Sequence, residues 1–246
     1  MEEQTMNKDT IEKLTQLRLP GMLRAYKEQS EINGINDLTF EQRFTLLVDA
    51  EVDSRHNHQI ERLIKNAQFS DKVASIEDIK YYEDRRLNRN LIEQLATNQY
   101  ITEGKNIIII GATGTGKSYL ACALGNCACL EGRKVLYIRL PDLITDLTLG
   151  KEQGNYKKIL KKYEKVDLLI IDEWLLIPAN DVAQQYILEI MERRYRSKGT
   201  IFCSQFSSDS WHKRLGGGAL ADAILDRVIS KSVTIKIEGS QSMRTR

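Results

Sequence analysis

The sequence predicts a three-layer α/β/α domain built on a parallel sheet, preceded by a small all-helical domain. Short apolar runs alternate with helical patterns after Gly104, the first of those runs ends in a glycine-rich turn, and residues 1–80 carry helical periodicity.

The helical part comes first. Leu14, Leu17, Leu19 and Leu23, then Phe40, Phe44, Leu47, Val48 and Glu51, then Ile60, Leu63, Ile64 and Ala67 recur near a 3.6-residue period. Pro20-Gly21 interrupts the first set, and Asn33-Gly34 with Asn36-Asp37 separates it from the second. Thr39, followed three residues later by Gln42, reads as an N-cap. After a break at Phe69-Ser70-Asp71 come a charged stretch, YYEDRRLNRN, and a last helix toward Ala96. The expected division is a helical domain over 1–80 and a sheet domain over 81–246.

The sheet domain offers five strands: IIII at 107–110, KVLYIRL at 134–140, DLLIID at 167–172, TIFCSQF at 200–206 and SVTIKI at 232–237. Runs apolar on both faces, separated by helical patterns, indicate parallel strands covered on both sides.

Composition narrows the class. A hydrophobic fraction of 41% and a charged fraction of 28% over 246 residues are those of a globular chain. No apolar run approaches the ~20 residues that cross a bilayer, and MEEQTMNKDT lacks the pattern of a secretory leader. The expectation is a cytoplasmic protein without a membrane partner. Cys122, Cys127, Cys129 and Cys203 form no Cys-x-x-Cys pair, so buried thiols are expected rather than a zinc site. Residues 1–100 hold 14 basic and 18 acidic side chains, and from Arg193 onward 11 basic face 4 acidic, which suggests an anionic partner or a solvated basic face.

The turn after the first strand carries the chemistry. Gly111-Ala112-Thr113-Gly114-Thr115-Gly116-Lys117-Ser118 matches Gly-x4-Gly-Lys-Ser/Thr, lies between a strand and a helix opening at Tyr119, and so predicts a phosphate cradle. Glycines let the backbone amides wrap a phosphate, and the helix adds a positive terminus. Lys117 supplies a mobile charge for the β and γ phosphates, and the Ser118 hydroxyl is suited to Mg²⁺. Asp172 and Glu173 end the DLLIID strand, which a parallel sheet delivers to the same edge as the cradle. Asp172 is expected to hold the hydrated Mg²⁺ and Glu173 to polarise the attacking water; capping of the strand end is the competing reading.

With these residues stand LRLPGMLRAYKEQ, LLVDAEVDSR, GATGTGKSYLACALG, LLIIDE, SQFSSDSWHKRLG, ADAILDRVI and SMR. Together they resemble the IstB-like helper ATPases of insertion sequences, relatives of the DnaC helicase loaders in the AAA+ class, along nearly the whole chain. The resemblance implies a P-loop AAA+ ATPase that uses ATP and Mg²⁺. It implies a γ-phosphate sensor at Gln205, with Ser204 as second choice, although a strand-end turn would look similar. It implies a trans-acting arginine at Arg227, against a surface salt bridge with Asp226 or Asp222, and a second sensor at Arg244, where IEGSQSMR departs from the usual GESMR. Asp172-Glu173 stands where the family commonly has two aspartates.

The resemblance also implies a homo-oligomer with ATP at subunit interfaces, binding to duplex DNA, and recruitment of an IstA-type transposase. A DnaC-like helicase loader is the alternative on the same framework, and a small-molecule kinase is disfavoured by the absence of an arginine-rich lid after the acidic strand. The basic residues Lys157, Lys158, Lys161 and Lys162, and Arg85, Arg86 and Arg89, are candidates for backbone-directed DNA contact. A solvated helix face competes for the lysines.

Overall fold

The computed structural model describes residues 8–31, 35–239, 241–243, 245 and 246. The chain divides into two compact units, residues 1–62 and 63–246.

In the first unit, α1 (Lys8–Gln16) and α2 (Pro20–Glu31) are followed by α3 (Phe40–Ala67), within which the division falls. Thr39 and Gln42 form the expected reciprocal cap: Thr39 N donates to Gln42 Oε1 at 2.9 Å and Gln42 N to Thr39 Oγ1 at 3.3 Å. Glu51 of α3 is buried and accepts from Gly21 N at 2.8 Å and Met22 N at 3.2 Å, which satisfies two free amides of the first turn of α2. Arg55 donates to the same carboxylate at 2.7 Å. Phe40, Phe44 and Val48 follow the helical period yet are exposed.

The second unit begins earlier than residue 81, the boundary read from the sequence. Ala67, Phe69, Ala74, Ile79 and Ile92 are all buried in the core under the sheet, so the charged stretch is only the surface of a segment whose apolar residues belong to that core. α4 (Arg89–Ala96) is capped by the Asn88 side chain, which accepts from Leu91 N, and α5 (Gln99–Thr102) leads into the sheet.

The strands are β1 (Asn106–Gly111), β2 (Val135–Arg139), β3 (Leu168–Asp172), β4 (Gly199–Ser204) and β5 (Ser232–Ile237), all parallel, in the order β2-β3-β4-β1-β5. Each coincides with an apolar run in the sequence. Successive residues of β1 explain the unbroken isoleucines: Ile107 and Ile109 enter the core with α6 (Lys117–Leu130), and Ile108 enters the core on the other face. That second face is covered by α7 (Leu140–Glu152), α8 (Tyr156–Lys165), α9 (Asp181–Arg194), α10 (Trp211–Arg214) and α11 (Gly218–Ile229), with Trp174 and Trp211 fully buried edge to face. The three-layer α/β/α architecture follows. The carboxyl ends of β1, β3 and β4 stand side by side, with β4 between the strand of the glycine turn and the strand of Asp172.

Candidate nucleotide site

The turn between β1 and α6 has the backbone that its glycines allow. Gly114 and Gly116 take φ of +82° and +90°, a left-handed region that a side chain would disfavour, and Lys117 follows as the first residue of α6. Ala112 and Thr113 are exposed at the rim, while Thr115 is buried and its hydroxyl donates to Ala112 O at 2.9 Å, bracing the loop from within. Lys117 Nζ donates to the same carbonyl at 2.7 Å. Burial draws its pKa below the usual lysine value, opposed by Cys203 and Asp172. A cation held by one carbonyl in a half-desolvated place is suited to exchange that carbonyl for an anion.

Gly111 ends β1, and beyond the loop Tyr119 reaches away to the segment before α4, where its hydroxyl accepts from Ser75 N at 3.3 Å. A cleft of ≈ 770 Å³ opens between the loop and this segment, lined among others by Gly114, Lys117, Tyr119, Ile79 and Lys80. That volume matches a nucleotide. The segment at 70–80 carries no motif, so sequence reading passed over it.

The acidic edge is assembled around Asp172. Its Oδ2 accepts from Ser118 Oγ at 2.5 Å and from Tyr137 Oη at 2.6 Å, and its Oδ1 accepts from Glu173 N at 2.7 Å. Burial, reinforced by the bond to Asp172, raises the Tyr137 pKa, so the phenol stays a donor. Ser118 and Asp172 thus present two hard oxygens close enough to share one small cation. Among the described residues no cluster of three His, Cys, Asp or Glu could hold a metal. A hydroxyl and a carboxylate oxygen are hard donors of the kind Mg²⁺ takes, the rest of its shell being filled by water and phosphate oxygens.

Glu173 sits at φ +53° with its Oε2 2.9 Å from Arg139 Nη2. Arg139 pairs in register with Asp172, and its pKa is raised chiefly by Glu173. Neither Tyr137 nor Arg139 was singled out from the sequence, although both lie on the strand that a parallel sheet would set beside β3.

At the end of β4 the two sensor candidates part. Ser204 is buried and committed: its hydroxyl donates to Trp174 O at 3.0 Å and accepts from Phe206 N at 3.2 Å. Gln205 is exposed just past the strand end, and its side chain has no hydrogen-bond partner among the described residues. Arg244 lies outside the described residues.

Arg227 occupies the other end of the sheet. Its carbonyl accepts from the Asn106 side chain at 3.1 Å, at the first residue of β1, while the cradle follows the last. Its guanidinium pairs with Glu192 and donates to Ala223 O at 2.8 Å. Glu192, rather than Asp226 or Asp222, is the salt-bridge partner.

The DNA candidates also divide. Arg85 is a correction: it is 5% exposed and donates from Nη2 to Thr115 O at 2.9 Å and from Nη1 to Lys80 O, so it belongs to the cradle and not to a DNA surface. In RRLNR nothing distinguishes the inward arginine from its neighbours. Arg86 is exposed and pairs with Glu238 at 3.2 Å, and Arg89 pairs with Glu93 while lying over the Tyr81 ring. Lys157, Lys158, Lys161 and Lys162 are all exposed on α8, opposite the buried Leu160 and Tyr163.

A family model described as "IstB-like ATP binding protein" matches residues 12–246. The chain belongs to the IstB-like family. An insertion sequence ATP-binding protein of Sinorhizobium fredii is 35% identical to this IstB-like chain over 235 residues, covering 96% of each. The ATP-binding protein of insertion sequence IS1162 of Pseudomonas fluorescens is 37% identical over 205 residues, covering 83% of this chain and 89% of that one. The DnaC helicase loader superposes with a TM-score of 0.57 at 22% identity, covering 67% of this chain and 97% of the loader, a likeness of fold. The IstB-like chain accordingly has the P-loop AAA+ fold. Among the described residues no helix is long and apolar enough to cross a membrane.

Proposed function

We propose that this IstB-like chain is a Mg²⁺-dependent ATPase that assembles on duplex DNA, holds ATP between subunits, and brings an IstA-type transposase to its target. One observation carries the reading. Arg227 is anchored at the start of β1 and the cradle follows its end, five residue steps or about 16 Å away. An arginine so placed is remote from the ATP of its own subunit, which supports its donation to a neighbouring copy.

Each side chain then has a task. Amides of residues 114–118 and Lys117 hold the β and γ phosphates. Ser118 and Asp172 would hold Mg²⁺, which would supply neutralisation of the phosphate charge. Glu173 leaves Arg139 and orients the attacking water, Gln205 contacts the γ-phosphate, and Arg227 of the next subunit stabilises charge on the departing phosphoryl group. Arg244 is proposed as the second sensor.

DNA binding is assigned to α8. At 100° per residue Lys157, Lys158, Lys161, Lys162 and Lys165 fall within an arc of about 140°. Lys162 also meets Asp146 at 3.5 Å, whereas the other four have no acidic partner among the described residues. Such a face meets phosphates rather than bases, so affinity should fall steeply with salt. Arg86 and Arg89 are secondary candidates. The helical residues 1–80 are proposed to contact the transposase or neighbouring subunits, which gives the exposed Phe40, Phe44 and Val48 a use.

The test is complementation. Lys117→Ala and Arg227→Ala proteins should each be inactive on duplex DNA. Mixed, they should recover ATPase activity, because a Lys117→Ala subunit still donates Arg227 to a neighbour with an intact cradle. No recovery, together with a monomer in sedimentation with DNA and a non-hydrolysable ATP analogue, would refute the assembly.

A further inference from the structure

Arg85 is buried and, among the described residues, hydrogen-bonds to no carboxylate. Of its five N–H groups, one on Nη1 goes to Lys80 O and one on Nη2 to Thr115 O, both neutral carbonyls. Its Nε is buried with no partner. No carboxylate pairs with it among the described residues, because the adjacent Asp84 is occupied by Arg246 Nη1 at 3.0 and 2.9 Å. Burial lowers its pKa; the charge of Asp84 opposes this and that of Arg246 adds to it.

A buried guanidinium with N–H groups left unpaired is costly unless an acceptor arrives to take them. The surroundings say which acceptor. Arg85 lines the ≈ 770 Å³ cleft together with Gly114, Gly116, Lys117 and Ser118. A Cβ built on Gly116 would stand 3.0 Å from Arg85 Nη2, so the guanidinium lies against the loop at the residue whose amide neighbours point to phosphate. It ties Lys80 of the segment before α4 to Thr115 of the glycine turn.

We propose that Arg85 is a phosphate-binding residue of the same subunit, a second cation beside Lys117 that recognises the polyphosphate of a nucleoside di- or triphosphate and registers it against the 80–85 segment. The proposal rests on the ATP site described above. Nucleotide replaces water at the free N–H groups, the buried charge gains its counter-ion, and the cleft walls are drawn onto one ligand.

The experiment compares Arg85→Met and Arg85→Lys with the parent in calorimetric titrations of ATP, ADP and AMP, alongside thermal melting of the nucleotide-free proteins. Binding of ATP by the parent tests the underlying site by itself. For Arg85→Met, affinity for ATP and ADP should fall at least tenfold and for AMP less than twofold, while melting reads how far losing the bonds to Lys80 O and Thr115 O is offset by removing a buried charge. Arg85→Lys should recover part of the ATP over AMP preference. Equal losses for the three nucleotides, or unchanged ATP affinity, would overturn the proposal. Should Arg85→Met fail to fold, Arg85→Lys decides: a loss for ATP at least threefold greater than for AMP supports it, and equal losses overturn it.

Discussion

The two ends of the sheet use the same polar chemistry for opposite purposes. At the amino end of β4, Arg194 is 2% exposed and its guanidinium donates to Tyr163 O at 2.8 Å, Val166 O at 2.9 Å, Gly199 O and Thr200 Oγ1. Several segments converge on it, and every bond is to a group that has nowhere else to go. At the carboxyl end, Lys117 has one carbonyl, Ser118 one carboxylate oxygen, and Glu173 one surface arginine. Those bonds are easily exchanged. A buried cation with many fixed partners is architecture; one with few is waiting for a ligand.

The largest test of that contrast is Arg194→Met against Lys117→Met. The first leaves several buried carbonyls unpaired at roughly 1–3 kcal/mol each, so a loss of about 3 kcal/mol or more is expected in denaturant unfolding. The second should leave unfolding within about 1 kcal/mol of the parent while lowering ATP affinity by about two orders of magnitude. If Lys117→Met proved the less stable protein, the division between the two ends would fail. Next in size is Glu173→Gln, which keeps the backbone bond to Asp172 and loses the base. ATP should still bind within about threefold of the parent affinity while turnover falls at least a hundredfold in single-turnover assays.

The same contrast explains what could be read without coordinates. Each strand was legible because a parallel sheet covered on both sides requires uninterrupted apolar residues, and IIII or DLLIID has no other economical use. The cradle was legible because Gly114, Gly116 and Lys117 are constrained by local backbone geometry. Tyr137 and Arg139, which escaped notice, and Arg85, which was read as a DNA contact, reach across strands or across the cleft, where proximity depends on register and packing instead of spacing. Register makes Arg139 the neighbour of Asp172, a relation visible only after β2 is known to pair with β3. For Arg85, three arginines in five residues look alike until Ile79 is seen to be buried and the chain beside it turned inward.

Arg139→Ala gives a smaller effect. The Arg139–Glu173 pair is partly exposed on both sides, so solvent screens it and its hold on Glu173 is weak. Freeing Glu173 should raise DNA-independent ATP hydrolysis by no more than about fivefold, measured as phosphate release without DNA. A fall in rate would mean that Arg139 positions Glu173 for attack and does not withhold it.

The smallest effect sharpens the comparison outside the sheet. Glu51 is a buried group of the committed kind, an anion fixed by Arg55, Met22 N and Gly21 N. Burial alone would raise its pKa, yet those hydrogen bonds together hold it below the usual glutamate value. A carboxylate with a depressed folded pKa contributes stability that is present above its unfolded pKa of about 4.3 and is lost as pH falls through the lower, folded value. Melting of residues 1–62 should therefore decline more steeply below about pH 4.3 in the parent than in Glu51→Gln, a difference of a few degrees followed by circular dichroism. Because no ligand exchanges with Glu51, ATP should leave that acid limb unchanged; an ATP-dependent shift would place Glu51 among the exchangeable groups and erase the distinction drawn from Arg194 and Lys117.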